Sequence, residues 1–243
     1  MSSVKPRSVL STISKTNRRL ARTYNFSDDE QRLRVTGFVN NKMYNSKLVS
    51  VCAILSTLDG KYLACLRRNS FLYSEIRKSK SRKRNINLLT KYSKFLRPGE
   101  LKELKTLHSI NKTFVDGNNK GNVIFPGGSP KRGENAVKCI SRELKEETNI
   151  DSKHVSLDTR FFVYVNIDDL LTGKEYDAIF FLGTVNLTSD EIVDNFFSND
   201  EVVTLLFLSP YGQGIACDII RYALSIQQLD CWGTRGYKNS YLS

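Results

Sequence analysis

The sequence predicts an α/β fold in which a β-sheet is sandwiched between helices. Residues 136–148 show helical periodicity, with Ala136, Ile140 and Leu144 along one side. Runs rich in β-branched and aromatic residues lie both before and after this helix, at residues 49–55, 62–66, 160–167 and 176–185. At 243 residues the chain is long enough to bury a substantial core around one such sheet.

The N-terminal segment, residues 1–30, is predicted to add a basic amphipathic helix to this core. Residues 1–27 contain no acidic residue, and a helix that begins at Ser8 or Ser11 would carry one apolar stripe. That stripe consists of Val9, Leu10, Ile13 and Leu20. A segment of this kind suits a membrane surface, including that of a mitochondrion, or a helix docked on the core with its arginines in water. We favour the docked helix.

Residues 31–243 are predicted to form the core domain. The chain looks extended at residues 32–39, and Asp59-Gly60 supplies a turn between the runs at 49–55 and 62–66. A short strand is expected at residues 122–125 and another at 202–208. Thr188 resembles a helix start, and residues 217–229 are typical of a final amphipathic helix.

A basic helical insertion is predicted at about residues 74–120. Residues 77–105 contain eleven lysines and arginines against only Glu100 and Glu103, with apolar residues at roughly helical spacing. Pro98 and Gly99 are expected to divide the insertion into two short helices. Basic residues interleaved with aromatic ones suit the backbone of RNA, whereas a solvated helix face would explain only part of the charge. The RNA-binding candidates are Arg77, Lys78, Arg82, Lys83, Arg84, Lys91 and Lys94.

Composition narrows the class of partner. A net charge of +12 and a pI near 9.5 favour polyanions such as RNA, DNA or an acidic membrane surface. The five cysteines are scattered without a CxxC pair, and His108 and His154 are isolated, so we expect no zinc site and a reducing compartment. No apolar run approaches the length of a membrane span.

Three glutamates on the helix at residues 136–148 predict a metal site. Spacings of three and four residues place Glu143, Glu146 and Glu147 on one helix face. Like charges packed together destabilise a helix, and a hard divalent cation such as Mg²⁺ would compensate for them. The alternative is a solvated acidic helix face.

The longer pattern around this helix resembles the Nudix box, a loop-helix-loop motif. It runs from Gly128 to Ile150 and departs from the family at one fixed position, Asn149, where glycine is usual; asparagine tolerates the same backbone conformation. The resemblance implies an α/β/α sandwich that hydrolyses a diphosphate joined to a further group, with Mg²⁺ or Mn²⁺. It implies that Glu146 and Glu147 bind the metal. It also implies that Glu143 acts as the base or as a third ligand, that Arg142 orients the glutamates and that Glu134 braces the loop. Further ligands are implied from the Gly127 carbonyl and from Glu201.

A closer resemblance covers most of the chain. The runs CLRRNSFLYSE, FPGGSPKRGEN and DTRFF are similar to the mRNA-decapping Nudix hydrolases of poxviruses. That resemblance implies capped mRNA as substrate and the release of 7-methyl-GDP and 5′-monophosphate RNA. It further implies a location in the host cytoplasm, turnover of host and viral mRNA, and host shut-off.

Cap recognition has a physical requirement of its own. The methylated guanine is positively charged and is stabilised between two electron-rich rings. The resemblance places Phe71 and Tyr176 on its two sides and Asp169 as acceptor for the donors of the base edge. Each residue alone has an ordinary alternative: core packing for the rings and a loop cap for the aspartate.

Two other functions remain open from the sequence. One is a Nudix hydrolase of small nucleoside diphosphate-linked metabolites, for which the insertion would be a docking surface. The other is a non-catalytic RNA-binding module on a Nudix scaffold. The intact set of glutamates argues against the second.

Overall fold

The structure, a computed structural model, describes the backbone of residues 9–42, 49–110 and 121–238, with side chains through residue 229. Parts of three predictions lie outside the described residues. They are the start of the N-terminal segment, the end of the insertion and the C-terminal tail.

The helices and strands alternate along the chain as expected for an α/β protein. In order, they are α1 (Val9–Thr16), β1 (Tyr24–Ser27), β2 (Gln31–Val39), β3 (Val49–Ser56), β4 (Tyr62–Arg67), α2 (Phe71–Lys78), α3 (Arg82–Tyr92), α4 (Pro98–Leu107), β5 (Val123–Ile124), β6 (Gly127–Gly128), α5 (Ala136–Thr148), β7 (Val155–Asp169), β8 (Lys174–Val185), α6 (Ser189–Asp194), β9 (Val202–Leu208) and α7 (Ile215–Lys238).

The described strands form one mixed sheet with the order β1-β2-β7-β8-β3-β4-β5, to which β6 adds on β3 and β9 on β4. The β3–β8 pair is parallel and the other pairs are antiparallel. The long β7–β8 hairpin turns at Gly173, whose φ of 67° suits glycine. The parallel β3–β8 pair thus joins this hairpin to the strands that precede α5.

Helices cover both faces of the sheet. On one face, Ala136, Ile140 and Leu144 of α5 are buried in one core cluster, on the side that the periodicity predicts. On the other face, Ile220 and Ile226 of α7 are buried in a second cluster. Apolar residues at helical spacing thus pack against both sides of the sheet. The predicted α/β/α sandwich is confirmed.

In the described part of the insertion, the two helices predicted within residues 77–105 are α3 and α4, and α2 precedes them. Pro98 does not break a helix but begins α4, where its missing N–H would have no partner anyway. Leu72, Leu89 and Leu104 belong to a separate apolar cluster shared by these helices and Leu171. The insertion therefore has its own small core, and the first of its helices begins before residue 74.

The N-terminal helix α1 is docked on the sheet. Ile13 is fully buried in the α5 cluster, and Val9 and Leu10 pack against the same cluster. Leu20 lies beyond the end of the helix and packs against the α7 cluster instead. Membrane attachment through this segment stays a prediction. Among the described residues, no helix combines the length and apolar character needed to span a bilayer.

Candidate active site

Helix α5 carries the predicted carboxylates and is capped at both ends. At its start, the side chain of Asn135 accepts a hydrogen bond from the Lys138 N–H at 2.9 Å. At its end, Asn149 adopts a left-handed conformation with φ of 61°, and its N–H donates to the Lys145 carbonyl. Asn149 therefore adopts the conformation that glycine favours at this position. The expectation that asparagine adopts the backbone conformation of the usual glycine is confirmed.

Arg142 lies at the centre of an ion-pair network. Its Nε and Nη2 donate to the two oxygens of Glu134, both at 3.0 Å. Its Nη1 donates to Glu143 at 2.7 Å and to Glu146 at 3.0 Å. Glu134 also accepts from the Lys131 N–H at 2.8 Å, so the network ties the preceding loop to α5. The hydrogen bonds from Arg142 hold the pKa of Glu134 at about 2.

Two glycines let the backbone of the preceding loop approach the helix carboxylates. A Cβ at Gly128 would collide with the carboxylate of Glu143. Gly127 has a φ of 149°, and a Cβ there would collide with the Val51 carbonyl. The N–H of Gly127 donates to Glu147 at 2.9 Å. A side chain at either position would displace this arrangement.

Glu147 is a buried carboxyl whose negative charge is only partly compensated by its described neighbours. It is 4% exposed. Burial raises its pKa to about 8, and the charges of Glu143 and Glu201 act in the same direction. The Gly127 N–H and the charge of Arg67 oppose the shift without cancelling it. Added positive charge at this point would lower the pKa again.

Arg67 lies between this carboxyl and the predicted cap site. Burial lowers its pKa, and the charges of Glu201 and Glu147 oppose that shift. Its guanidinium carbon lies 4.4 Å from the centroid of the Phe71 ring. The positive charge of Arg67 therefore acts both on Glu147 of the predicted metal site and on Phe71 of the predicted cap site.

The predicted metal ligands are not gathered into one ready cluster. Within residues whose side chains are described, no three or more His, Cys, Asp or Glu side chains are arranged to hold a metal ion. The Glu146 side chain is 53% exposed and pairs with Arg142 and Lys131. The spacing thus places the three glutamates on one helix, but the folded protein directs them into different surroundings.

The donor chemistry nevertheless fits a divalent cation. Glu143, Glu147 and Glu201 offer oxygen ligands, and their charges raise the pKa of the buried member of the set. A divalent cation would relieve that repulsion. Glu146 would have to leave its ion pairs to join them. Gly127 is seen to contribute its N–H to Glu147, and the role of its carbonyl stays a prediction.

Phe71 and Tyr176, the two predicted cap-binding rings, are each 46% exposed. Glu75 lies one turn after Phe71 on α2 and pairs with Lys174 at 2.7 Å. Lys174 precedes Tyr176 by two residues on β8 and so lies on the same strand face. Glu75 also pairs with Arg84 of α3 at 2.6 Å. This clamp brings the helix face with Phe71 next to the strand face with Tyr176.

The carboxylate of Asp169 is engaged in the β7–β8 turn. One oxygen accepts from the N–H groups of Leu171 and Thr172, at 2.9 and 3.1 Å. The other accepts from the Thr172 hydroxyl at 2.6 Å. Burial raises the pKa of Tyr176 and the charge of Asp169 adds to it, so the two are neighbours. Recognition of a base edge by Asp169 stays a prediction and would compete with the turn.

The predicted RNA-binding residues divide into two groups. Four of them are exposed at the end of α2 and the start of α3: Arg77, Lys78, Arg82 and Lys83. Arg84 is committed to its ion pair with α2. Lys91 and Lys94 each lie over the aromatic ring of the next residue, at 4.8 and 4.7 Å. Within the first group, Arg77 pairs with Glu103 at 3.6 Å and Arg82 donates to the His108 carbonyl at 3.2 Å. Because all four of its members are exposed and lie close together in the sequence, the first group is the better candidate for phosphate contacts.

Sequence reasoning missed the parts played by two residues. They are Arg67, which follows directly on a predicted strand, and Glu75, which lies at the start of the predicted insertion. The signals present in the sequence were an arginine at the end of a strand near an aromatic residue, and an acid on a helix next to many cations. Neither signal indicates which partner the side chain meets.

The sheet, the glycine loop and the carboxylate helix together define the Nudix class of hydrolases. A family model described as the NUDIX domain matches residues 107–211, and one described as Viral D10 N-terminal matches residues 7–44. Nudix hydrolases use divalent metal ions. The solved Bacillus subtilis pyrophosphohydrolase BsRppH is similar over 86% of this chain and 98% of that one, at 11% identity and a TM-score of 0.43.

The relatives are more specific. The chain is 46% identical to the mRNA-decapping protein OPG122 of monkeypox virus over 94% of this chain and 92% of that protein. It is 35% identical to a fowlpox virus mRNA-decapping protein over 79% of this chain and 84% of that protein. The chain belongs to the family of poxvirus mRNA-decapping proteins.

Proposed function

We propose that this chain hydrolyses the 5′ 7-methylguanosine cap of mRNA and releases 7-methyl-GDP and RNA with a 5′-monophosphate. The observation that carries the proposal is the clamped pair of exposed rings on the chain that also bears the carboxylate helix. Its relatives are named mRNA-decapping proteins, which supports the same substrate.

The methylated guanine of the cap would bind between the rings of Phe71 and Tyr176. A methylated guanine is a cation, and a cation over an aromatic face is stabilised by about 0.5–2 kcal/mol depending on its desolvation. Unmethylated guanine lacks that charge and would gain less. Asp169 is the proposed acceptor for the donors of the base edge. The Glu75 clamp would hold the rings apart at a fixed separation.

The diphosphate would lie against α5. When bound, Mg²⁺ or Mn²⁺ would neutralise phosphate charge and lower the pKa of the attacking water. Glu146, Glu147 and Glu201 are the proposed ligands. Glu143, held by Arg142 at 2.7 Å, is the proposed base that accepts the proton of the water. Glu134 would keep Arg142 in place through its two hydrogen bonds.

The body of the RNA would follow the exposed cations of the insertion. Arg77, Lys78, Arg82 and Lys83 lie close together in the sequence, where α2 ends and α3 begins. No acidic residue occupies the first turn of α3, so the positive end of its helix dipole adds to these charges. Phosphates along the RNA would be attracted to these side chains and to the N-terminal end of α3.

The location and consequence of the activity are proposals too. We propose that the protein acts in the host cytoplasm, on host and viral mRNA alike, and thereby promotes mRNA turnover and host shut-off. Imaging of the full chain in infected cells, with capped mRNA half-lives measured in parallel, tests both statements. A wild-type chain that left host mRNA half-lives unchanged would contradict the second.

Incubation of the full chain with cap-labelled RNA and Mn²⁺ tests the proposed reaction. We expect 7-methyl-GDP as the labelled product, and little product from the double variant of Glu146→Gln and Glu147→Gln. Asp194→Asn, which removes an exposed carboxylate from α6, is the matched control and should cleave normally. Equal cleavage of small nucleoside diphosphate compounds without RNA would favour the metabolite hydrolase. RNA binding without cleavage would favour the non-catalytic module.

A further inference from the structure

We propose that Asn199 is a positioning residue that fixes the carboxylate end of α5 against the loop that carries Glu201. The inference rests on the proposed function, because it takes Glu146, Glu147 and Glu201 as ligands of a divalent cation.

The side-chain nitrogen of Asn199 caps the C-terminal end of α5. The last four carbonyls of an α-helix have no partner within the helix, and those of Glu146 and Glu147 belong to this set. Nδ2 of Asn199 donates to the Glu146 carbonyl at 3.2 Å and to the Glu147 carbonyl at 3.1 Å. An amide NH₂ has two hydrogens, one for each acceptor. The backbone that carries both glutamates is thus held by a residue of a distant loop.

The side-chain oxygen of Asn199 holds the other part of the site. Oδ1 accepts from the Glu201 N–H at 2.9 Å and from the Val202 N–H at 2.8 Å. The N–H of Asn199 donates to the Val202 carbonyl at 3.0 Å, which closes the turn before β9. One planar amide therefore connects the backbone of all three proposed ligands. A shift of α5 relative to this loop would break one set of bonds.

Arg68 supports the loop from the end of β4. Its Nε donates to the Asn199 carbonyl and its Nη2 to the Ser198 hydroxyl, both at 2.7 Å. Its backbone N–H donates to the Glu201 carbonyl, also at 2.7 Å. The backbone of Glu201 is therefore fixed on both sides, by Asn199 at its N–H and by Arg68 at its carbonyl.

Asn199→Asp separates the two functions of the amide. The variant keeps an oxygen for the N–H groups of Glu201 and Val202, so the turn before β9 can form. It loses the donor to α5 and places negative charge against two carbonyls. Asn195→Asp is the matched control, because the Asn195 side chain donates to the Glu191 carbonyl of α6 and to no carbonyl of α5.

Binding of Mn²⁺ to the full chain, followed by the EPR signal of free Mn²⁺, is the primary measurement. Loss of a residue that orients metal ligands typically weakens metal binding about 10- to 100-fold, and we expect that range for Asn199→Asp. Cleavage of capped RNA should need correspondingly more Mn²⁺ and recover towards the wild-type kcat at saturation. Affinity for 7-methyl-GDP without Mn²⁺ should not change. Asn195→Asp should match the wild type in all three.

Mn²⁺ binding by Asn199→Asp equal to that of the wild type would overturn the inference, provided that Glu147→Gln binds Mn²⁺ weakly. If Glu147→Gln also binds normally, the proposed metal site itself is refuted. Should Asn199→Asp fail to fold by thermal melting, Arg68→Met carries the test. It loosens the loop without touching the amide, and it should weaken Mn²⁺ binding several-fold. Unchanged binding in that variant would overturn the inference equally.

Discussion

Replacement of Glu147 by Gln tests the electrostatics of the site directly. The folded protein buries this carboxyl against the charges of Glu143 and Glu201, so its ionisation is unfavourable without a cation. Gln has nearly the same shape and still offers an oxygen to the Gly127 N–H. The substitution therefore removes the charge and leaves the packing in place.

The sign and size of the effect follow from the pKa of Glu147. That pKa is about 8 in the folded protein, against a reference value of 4.5. Between these values the folded state holds a proton that the unfolded state has released. The contribution of Glu147 to the free energy of unfolding is therefore highest below pH 4.5 and falls as the pH rises towards 8. One pKa unit corresponds to about 1.4 kcal/mol, so from pH 5.5 to 7.5 the loss is about 2–3 kcal/mol.

Denaturant unfolding of the cation-free full chain at these two pH values measures the effect. The stability of Glu147→Gln relative to the wild type should rise by about 2–3 kcal/mol between pH 5.5 and pH 7.5. Glu146→Gln is the matched control, since that side chain is 53% exposed and should add little pH dependence. Mn²⁺ should stabilise the wild type more at pH 7.5 than at pH 5.5, and Glu147→Gln much less. Parallel pH profiles for Glu147→Gln and the wild type would refute the reasoning.

Three further predictions concern the RNA. Phe71→Ala or Tyr176→Ala should cost about 0.5–2 kcal/mol of binding to methylated cap and less for unmethylated cap; fluorescence titration would show an equal loss on both if the rings are only structural. Glu75→Gln should raise the KM for capped RNA while leaving the Mn²⁺ dependence unchanged, and a shift in both would contradict the clamp. Reversal of Arg82 and Lys83 to Glu should flatten the salt dependence of RNA binding by roughly 0.7 in log–log slope for each phosphate that the variant no longer neutralises. An unchanged slope would exclude them from the RNA path.

Strands were predictable where a continuous run of residues with a preference for sheets decides the structure. The run at residues 202–208 coincides with β9, and the run at 62–66 lies within β4, because both consist of consecutive residues that favour a sheet. Helix α2 was not predictable in the same way. Its first turn is fixed by Glu100, which accepts hydrogen bonds from both the N–H and the hydroxyl of Ser70. Glu100 lies 30 residues after Ser70, so the residues around Ser70 give no local signal of this interaction.

The metal carboxylates show the same division between local and tertiary information. Helical spacing correctly places Glu143, Glu146 and Glu147 on α5. It does not distinguish the buried Glu147 from the largely exposed Glu146, although the two are adjacent. Each residue turns the helix by about 100°, so one of the two faces the loop and the sheet. Only the packed sheet determines which one loses its water.

Arg67 couples the two predicted sites through one positive charge. Its guanidinium lies over the Phe71 ring, and the same charge opposes the raised pKa of Glu147. A positively charged base that stacks on Phe71 would compete with Arg67 for the electrons of that ring. A divalent cation at Glu147 would repel Arg67 and take over its part in neutralising the carboxyls. Both events would weaken the interactions of Arg67 with Phe71 and Glu147, and a phosphate oxygen of the substrate would then be a favourable partner for its guanidinium.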